Sequence, residues 1–180
     1  MVTPTNQYQR QPENTNLFRP TNYRLVFPQK TNTTFFCQRA NIPGMTLTSA
    51  QIATPFVKIP EPGTIIGFSQ LHTTIKCDEE FRAYEEIFNW MVGMGYPENF
   101  NQRADFEDAS LLNADDDPDR SDAILHILSN NMNPILAIKY IGCYPVTLSE
   151  IALDSTIPNP GDGISFDVTF DYMYYKFERP

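Results

Sequence analysis

The chain has 180 residues, 41% hydrophobic and 13% aromatic, which fits one domain with a sizeable core plus arms or long loops. No apolar run of about 18 residues occurs, so no membrane span is expected, and the polar stretch Met1–Pro20 lacks the apolar stretch of a signal peptide. The net charge of −9 is regional: Asp78–Asp122 holds fourteen acids against Arg82, Arg103 and Arg120, a balance that disfavours a tightly held phosphate backbone and would let a polyanion pass without sticking.

Residues 1–20 are rich in Asn, Gln, Thr and Pro and carry too little apolar surface to pack alone. They read as an extension ordered by assembly, ahead of a single domain over 21–180. Tyr23-Arg24-Leu25-Val26-Phe27 alternates and predicts a strand. Thr33–Gln38 predicts its hairpin partner. Ile42-Pro43-Gly44 then breaks the sheet. Between 46 and 67 the chain is rich in Thr, Ile and Val but punctuated by Pro55, Pro60 and Pro62, which remove ladder donors. This segment predicts an extended arm or edge hairpin. Its apolar residues, together with the three at its exit, are the candidate assembly surface: Ile42, Pro43, Gly44, Met45, Leu47, Ile52, Pro55, Phe56, Val57, Ile59 and Ile65.

Phe68–Cys77 alternates again, with Leu71, Thr73 and Ile75 on one side, and predicts a central strand. Asp78, followed by Glu79 and Glu80, supplies helix-start signals. The spacing of Phe81, Tyr84, Ile87, Phe88 and Met91 predicts one flanking helix over about 79–92, closed by Gly93 and Gly95. Trp90, Phe81 and Phe88 are its expected anchors on the sheet. Residues 97–122 read as a long acidic insertion with a short helical turn near Asp105–Leu112. Ala123–Leu128 and Ile135–Tyr140 predict a hairpin, Cys143–Val146 a bend and Thr147–Leu153 a further strand. Ile164–Phe177 predicts a long closing strand. The fold class is therefore mainly β: an antiparallel sandwich or partly open barrel with one helix.

Catalytic and metal motifs are weak. Asp115, Asp117 and Asp119 match the first ligands of a calcium loop, but Arg120 stands where glycine is needed and His126 where glutamate is needed. No phosphate-cradling glycine pattern occurs. Phe18, Tyr23 and Phe27 beside Arg19 and Arg24 could stack bases, though core-facing aromatics on a first strand explain them more simply. Cys37, Cys77 and Cys143 form an odd count without framework spacing and read as reduced, buried thiols of a cytosolic setting. His72 and His126 sit in alternating strands. A Cys/His hydrolase would need a proximity that spacing does not give. No enzyme activity, cofactor or metal is expected.

Several segments recur in a recognisable order. They are Asn-Tyr-Arg-Leu-Val-Phe (22–27), Phe-Phe-Cys-Gln-Arg-Ala-Asn-Ile-Pro-Gly (35–44), Glu-Glu-Ile-Phe-Asn-Trp (85–90), Tyr-Pro-Val-Thr-Leu-Ser-Glu-Ile (144–151) and Asp-Val-Thr-Phe-Asp-Tyr (167–172). In this order the chain, from about Leu17 to Phe177, resembles the tail tube proteins of contractile-tailed, T4-type bacteriophages. It is also similar to their relatives in type VI secretion tubes and baseplate tube-initiator rings. The resemblance implies a small sandwich or open barrel whose copies close into six-fold rings. Inner strands join into one barrel, and rings stack into a tube that conducts the genome. It implies as partners copies of itself, adjoining baseplate and sheath proteins, and a tape-measure protein or DNA in the lumen. The implied location is the virion tail, assembled in the host bacterial cytoplasm, with no membrane anchor. The long acidic loop and the extension leave a single-copy initiator, adaptor or tail-end ring as the alternative.

Overall fold

The computed structural model describes residues 15–28, 30–110, 119–154, 156 and 163–179. The extension's first fourteen residues, the Asp115–Asp117 run and the 157–162 turn lie outside the described residues. The chain is mainly β, with antiparallel sheets, a few helices and no closed barrel.

The spine is a long bent ribbon. β7 (Pro134–Leu148) lies antiparallel to β8 (Ser165–Asp171) over its second half and to β9 (Tyr174–Glu178) over its first half. Gly142, at φ +65°, supplies a left-handed kink in β7 that a side chain would strain, and Met173 N–H donates to Ile141 O beside it at 3.0 Å. One sheet grows from the first half of β7 through β6 (Ser121–Leu128) to β1 (Tyr23–Val26). The other grows from β8 through β5 (Leu71–Lys76) to β2 (Cys37–Ala40). Alternation places Leu71 and Ile75 with Phe166, Val168 and Phe170 on the inner face of one sheet, and Leu25, Leu125, Ile138 and Tyr140 in the same core. β1 and β2 stay apart at the ends of the sheet and leave the barrel open.

Helix α2 (Arg82–Gly95) packs on this core through Ala83, Ile87 and Trp90. Trp90 is 1% exposed, 6.2 Å from the Phe170 ring, and donates from Nε1 to Asp119 O at 3.1 Å. The other two expected anchors need correction. Phe81 is 41% and Phe88 50% exposed, because the buried stripe runs Ala83–Ile87–Trp90 and turns Phe88 outward. The helix also starts later than the sequence suggests. Phe81 sits at φ +56°, and the Asp78 carboxylate accepts the N–H groups of Arg82 and Ala83 at 3.1 and 3.0 Å from across the turn.

Four further expectations give way to tertiary contacts. Residues 31–36 form a short helix, α1 (Thr31–Phe36), where a strand was predicted. Thr33 donates its N–H and hydroxyl to Glu86 Oε2 at 2.9 and 2.7 Å, and the Thr34 hydroxyl accepts from Phe27 N–H at 2.9 Å; these bonds outweigh the β-propensity of threonine. Helix α3 (Asn101–Ser110) replaces the smaller turn predicted within the acidic insertion, with Phe106 packed against the core. The bend at 143–146 does not start a new strand, since β7 runs through to Leu148. The long closing strand is instead broken at Tyr172–Met173.

Candidate assembly interface

Residues 45–68 fold as a hairpin of two strands, β3 (Met45–Ala53) and β4 (Lys58–Phe68), forming a sheet of its own. Thr54 closes the tip: its N–H donates to Val57 O at 3.2 Å, and its hydroxyl accepts from Val57 N–H at 3.1 Å. A register shift between Leu47 and Ser49 brings the strands so close that a Cβ on Gly63 would lie 2.3 Å from Thr48 Oγ1 and 2.6 Å from Thr48 O. Only glycine fits there. Cross-strand pairs Leu47–Ile66 and Ile52–Ile59 lie on opposite faces of β3, so both faces are apolar. Neither strand makes substantial packing with another described element, and every β3 residue is exposed. A two-stranded sheet in this state is marginal in water.

Of the candidate assembly residues, Met45, Leu47, Ile52, Ile59 and Ile65 lie exposed on these strands, and Pro55, Phe56 and Val57 form the exposed tip. Phe56 is 98% exposed. Ile42 is half exposed and Gly44 exposed at the exit, whereas Pro43 is buried.

A clamp that sequence reasoning missed holds the root of the hairpin. Tyr175 Oη donates to Pro43 O at 3.2 Å and Tyr172 Oη to Ser69 O at 2.6 Å, one on each leg. Phe68 packs between the two rings at 6.2 and 5.3 Å. Asn41 adds a bond from Nδ2 to Gln70 O at 3.2 Å and accepts His72 N–H on Oδ1 at 2.7 Å. The run Phe170–Phe177 was the available signal, but its spacing did not tell that two hydroxyls aim at carbonyls 103 and 132 residues earlier. Beneath the clamp lies Tyr140, whose buried hydroxyl has no hydrogen-bond partner among the described residues.

Among the open grooves of the body, two lie beside strand ends. The seam between the edges β1 and β2 encloses about 840 Å³ and is lined by Tyr23, Arg24, Leu25, Phe35, Gln38 and Arg39. The Tyr23 hydroxyl spans it to Gln38 O. Phe27 is buried, while Phe18 is exposed at the chain's entry, so the first-strand aromatics do not form one platform. A second groove of about 500 Å³ runs between the outer face of α2 and the end of β7, lined by Phe88, Met91, Val92, Pro97, Val146 and Leu148.

Among the described residues the regional acidity lies on α2, α3 and their connections, where Glu79, Glu80, Glu85 and Glu98 are exposed. Asp119 pairs with Arg103, and Asp122 with Lys139 at 2.8 Å. Among the described residues no group of acids, histidines and cysteines is placed to hold a metal. No described helix is long and apolar enough to cross a membrane. The thiols are placed against nucleophilic work. Burial pushes Cys37 up to about 11 and Cys143 up to about 12, and raises Cys77. His72 Nδ1 bonds the Thr169 hydroxyl at 3.2 Å and His126 pairs with Arg24 and Ala137 in its sheet, so neither meets a cysteine there.

No protein-family profile and no curated protein matches the sequence. The fold is nevertheless that of the tube and cap proteins of contractile injection systems. The chain is similar to the tube-terminating cap of the anti-feeding prophage, with TM-score 0.59 and 8% identity over 94% of this chain and 96% of that one. It is similar to a chain of the sheath–tube complex of the extracellular contractile injection system PVC, with TM-score 0.54 and 8% identity over 91% and 93%. It is also similar to a chain of the anti-feeding prophage baseplate, with TM-score 0.53 and 10% identity over 87% and 91%.

Proposed function

We propose that this chain is a non-enzymatic structural subunit that closes into rings of a contractile, tail-like tube. Six copies surround a channel, rings stack, and a genome or tape-measure polypeptide passes through without sequence-specific binding. Sheath and baseplate proteins contact the outside, and the assembled particle is a virion tail built in a bacterial cytoplasm. The observation that carries the reading is the Met45–Phe68 hairpin, apolar on both faces and, beyond its clamped root, without substantial packing on any other described element. Its burial requires another subunit. The free edges β1 and β2 support the same reading, because unpaired strand edges are assembly devices when copies close a barrel. The similar baseplate structure is six-fold symmetrised, which supports the ring order.

A second reading is a single initiating or terminating ring with the same fold. The similarity to a tube-terminating cap over nearly the whole of both chains favours it. Negative-stain imaging of the concentrated, purified protein tests both. Stacked tubes support the repeating subunit, and rings that never stack support the single ring. A monomer at every concentration up to about 1 mM, a weak-binding limit of about −4 kcal/mol, would sink both.

A further inference from the structure

The hairpin has an exposed apolar tip, and the body has an exposed apolar groove. We propose that the tip, Phe56-Val57, plugs the α2–β7 groove of a second copy of this chain. This inference rests on the proposed ring-forming role and names the receiving surface.

The two features match in chemistry. Phe56 at 98% and Val57 at 62% exposed are the least covered apolar pair on the hairpin. The groove of about 500 Å³ is walled by Phe88 and Met91 of α2 and by Val146 and Leu148 of β7, with Phe88 itself half exposed. Charge complementarity fixes the orientation. Lys58 follows the tip directly and makes no ion pair among the described residues. Glu85, three residues before Phe88 on the same helix face, and Glu98, next to Pro97, stand exposed beside the groove. A tip seated on Phe88 brings Lys58 to these carboxylates and places opposite charges together.

The occupant must be another copy. The hairpin stands off its own body, with β4 alone spanning about 36 Å at ~3.3 Å per residue over 11 residues, and its root is clamped by Tyr172 and Tyr175. A buried aromatic anchor in an apolar pocket is the usual centre of an interface. The apolar strand faces then lie along the neighbour and add area towards the ~800 Å² per partner of a stable contact. Plug and socket lie on different surfaces of one chain, so a contact made without reciprocal exchange is head-to-tail and closes into a ring or propagates.

The test uses the full-length chain, with assembly followed by sedimentation and each variant's fold checked by circular dichroism and melting. Phe56→Asp and Phe88→Asp each raise the assembly concentration about 100-fold or more. Val146→Asp does the same from the other wall of the groove and stands in should Phe88→Asp fail to fold. Lys58→Glu alone, or Glu85→Lys with Glu98→Lys, each raises it about tenfold, and the combined charge swap returns it to within about twofold of wild type. Should Phe56→Asp abolish assembly while Phe88→Asp and Val146→Asp leave it intact, the tip docks elsewhere: this inference falls and the ring-forming role stands. Should neither tip nor groove variants change assembly, the hairpin tip is not the docking element and this inference alone falls; the ring-forming role falls only if the wild-type chain itself stays monomeric at every concentration.

Discussion

Replacing residues 47–66 by Asn-Gly isolates the hairpin's contribution. Met45 pairs with Phe68 and Thr46 with Gly67, so a two-residue turn closes the remaining ladder. Phe68 keeps its contacts with Tyr172 and Tyr175, and both clamp hydrogen bonds survive. The excised segment holds none of the buried core residues. Stability should therefore change by less than about 1 kcal/mol, a shift in Tm of at most ~2–4 °C for a domain this size. Association is a different matter. The large apolar side chains removed expose roughly four whole side chains between them, about 8 kcal/mol of gross burial at ~2 kcal/mol each. Calorimetry reads the first effect and sedimentation velocity with imaging the second. An expected result is a cooperative, near-native melt from a strict monomer. A Tm lowered by ~10 °C or more would refute the claim that the hairpin is independent of the body. Rings formed at the wild-type concentration would refute its role in assembly.

Trp90→Ala removes the ring packed on Phe170, the Nε1 bond to Asp119 O and the face beneath Lys30 Nζ at 5.2 Å, and should cost about 3–5 kcal/mol, read as a lower urea midpoint. Tyr140→Phe takes out a buried hydroxyl that has no partner among the described residues; thermal melts should show it neutral or stabilising by up to about 1 kcal/mol. Asp78→Ala should lose about 1 kcal/mol of helix capping at neutral pH. Hydrogen bonds from Ala83 N–H first, and from Arg82 N–H, hold the Asp78 carboxyl below its ordinary value of 3.8. Its contribution is thus complete above that value and disappears as pH falls through the lower folded one, so urea titrations of wild type and variant should converge on acidification below that folded value.

Most of the strand pattern was legible because alternation is local. Leu71, Thr73 and Ile75 are buried, and Phe166, Val168 and Phe170 face the same core. What escaped was decided by partners distant in sequence. Nothing near Thr33 tells that Glu86 will take its N–H and hydroxyl and wind α1. Helical spacing offered Phe88 and Trp90 as equal anchors, yet the packing direction of α2 buries one and turns the other to solvent. The interface shows the same division. Prolines and apolar residues between 46 and 67 announced an element outside the main sheets. The tyrosine clamp at its root, and the groove between α2 and β7, arise from chain segments that meet only in three dimensions.

The energetics constrain how such a subunit can assemble. About 8 kcal/mol of gross apolar burial stands against an association cost of about 4–15 kcal/mol for one pairing. A single head-to-tail contact therefore roughly breaks even, and an open dimer is scarcely populated. Ring closure changes the balance, since the last subunit gains two contacts while losing its freedom once. The hairpin's own chemistry suits that regime. Pro60 and Pro62 sit opposite Gln51 and Ser49 and remove donors from β4, so stray strand pairing is weakened while apolar docking is left intact. Monomers and closed rings should then dominate sedimentation profiles across the transition, with little between them. A stable dimer below the ring-forming concentration would mean that one contact suffices, and the hairpin would have to bury far more than its exposed apolar side chains supply.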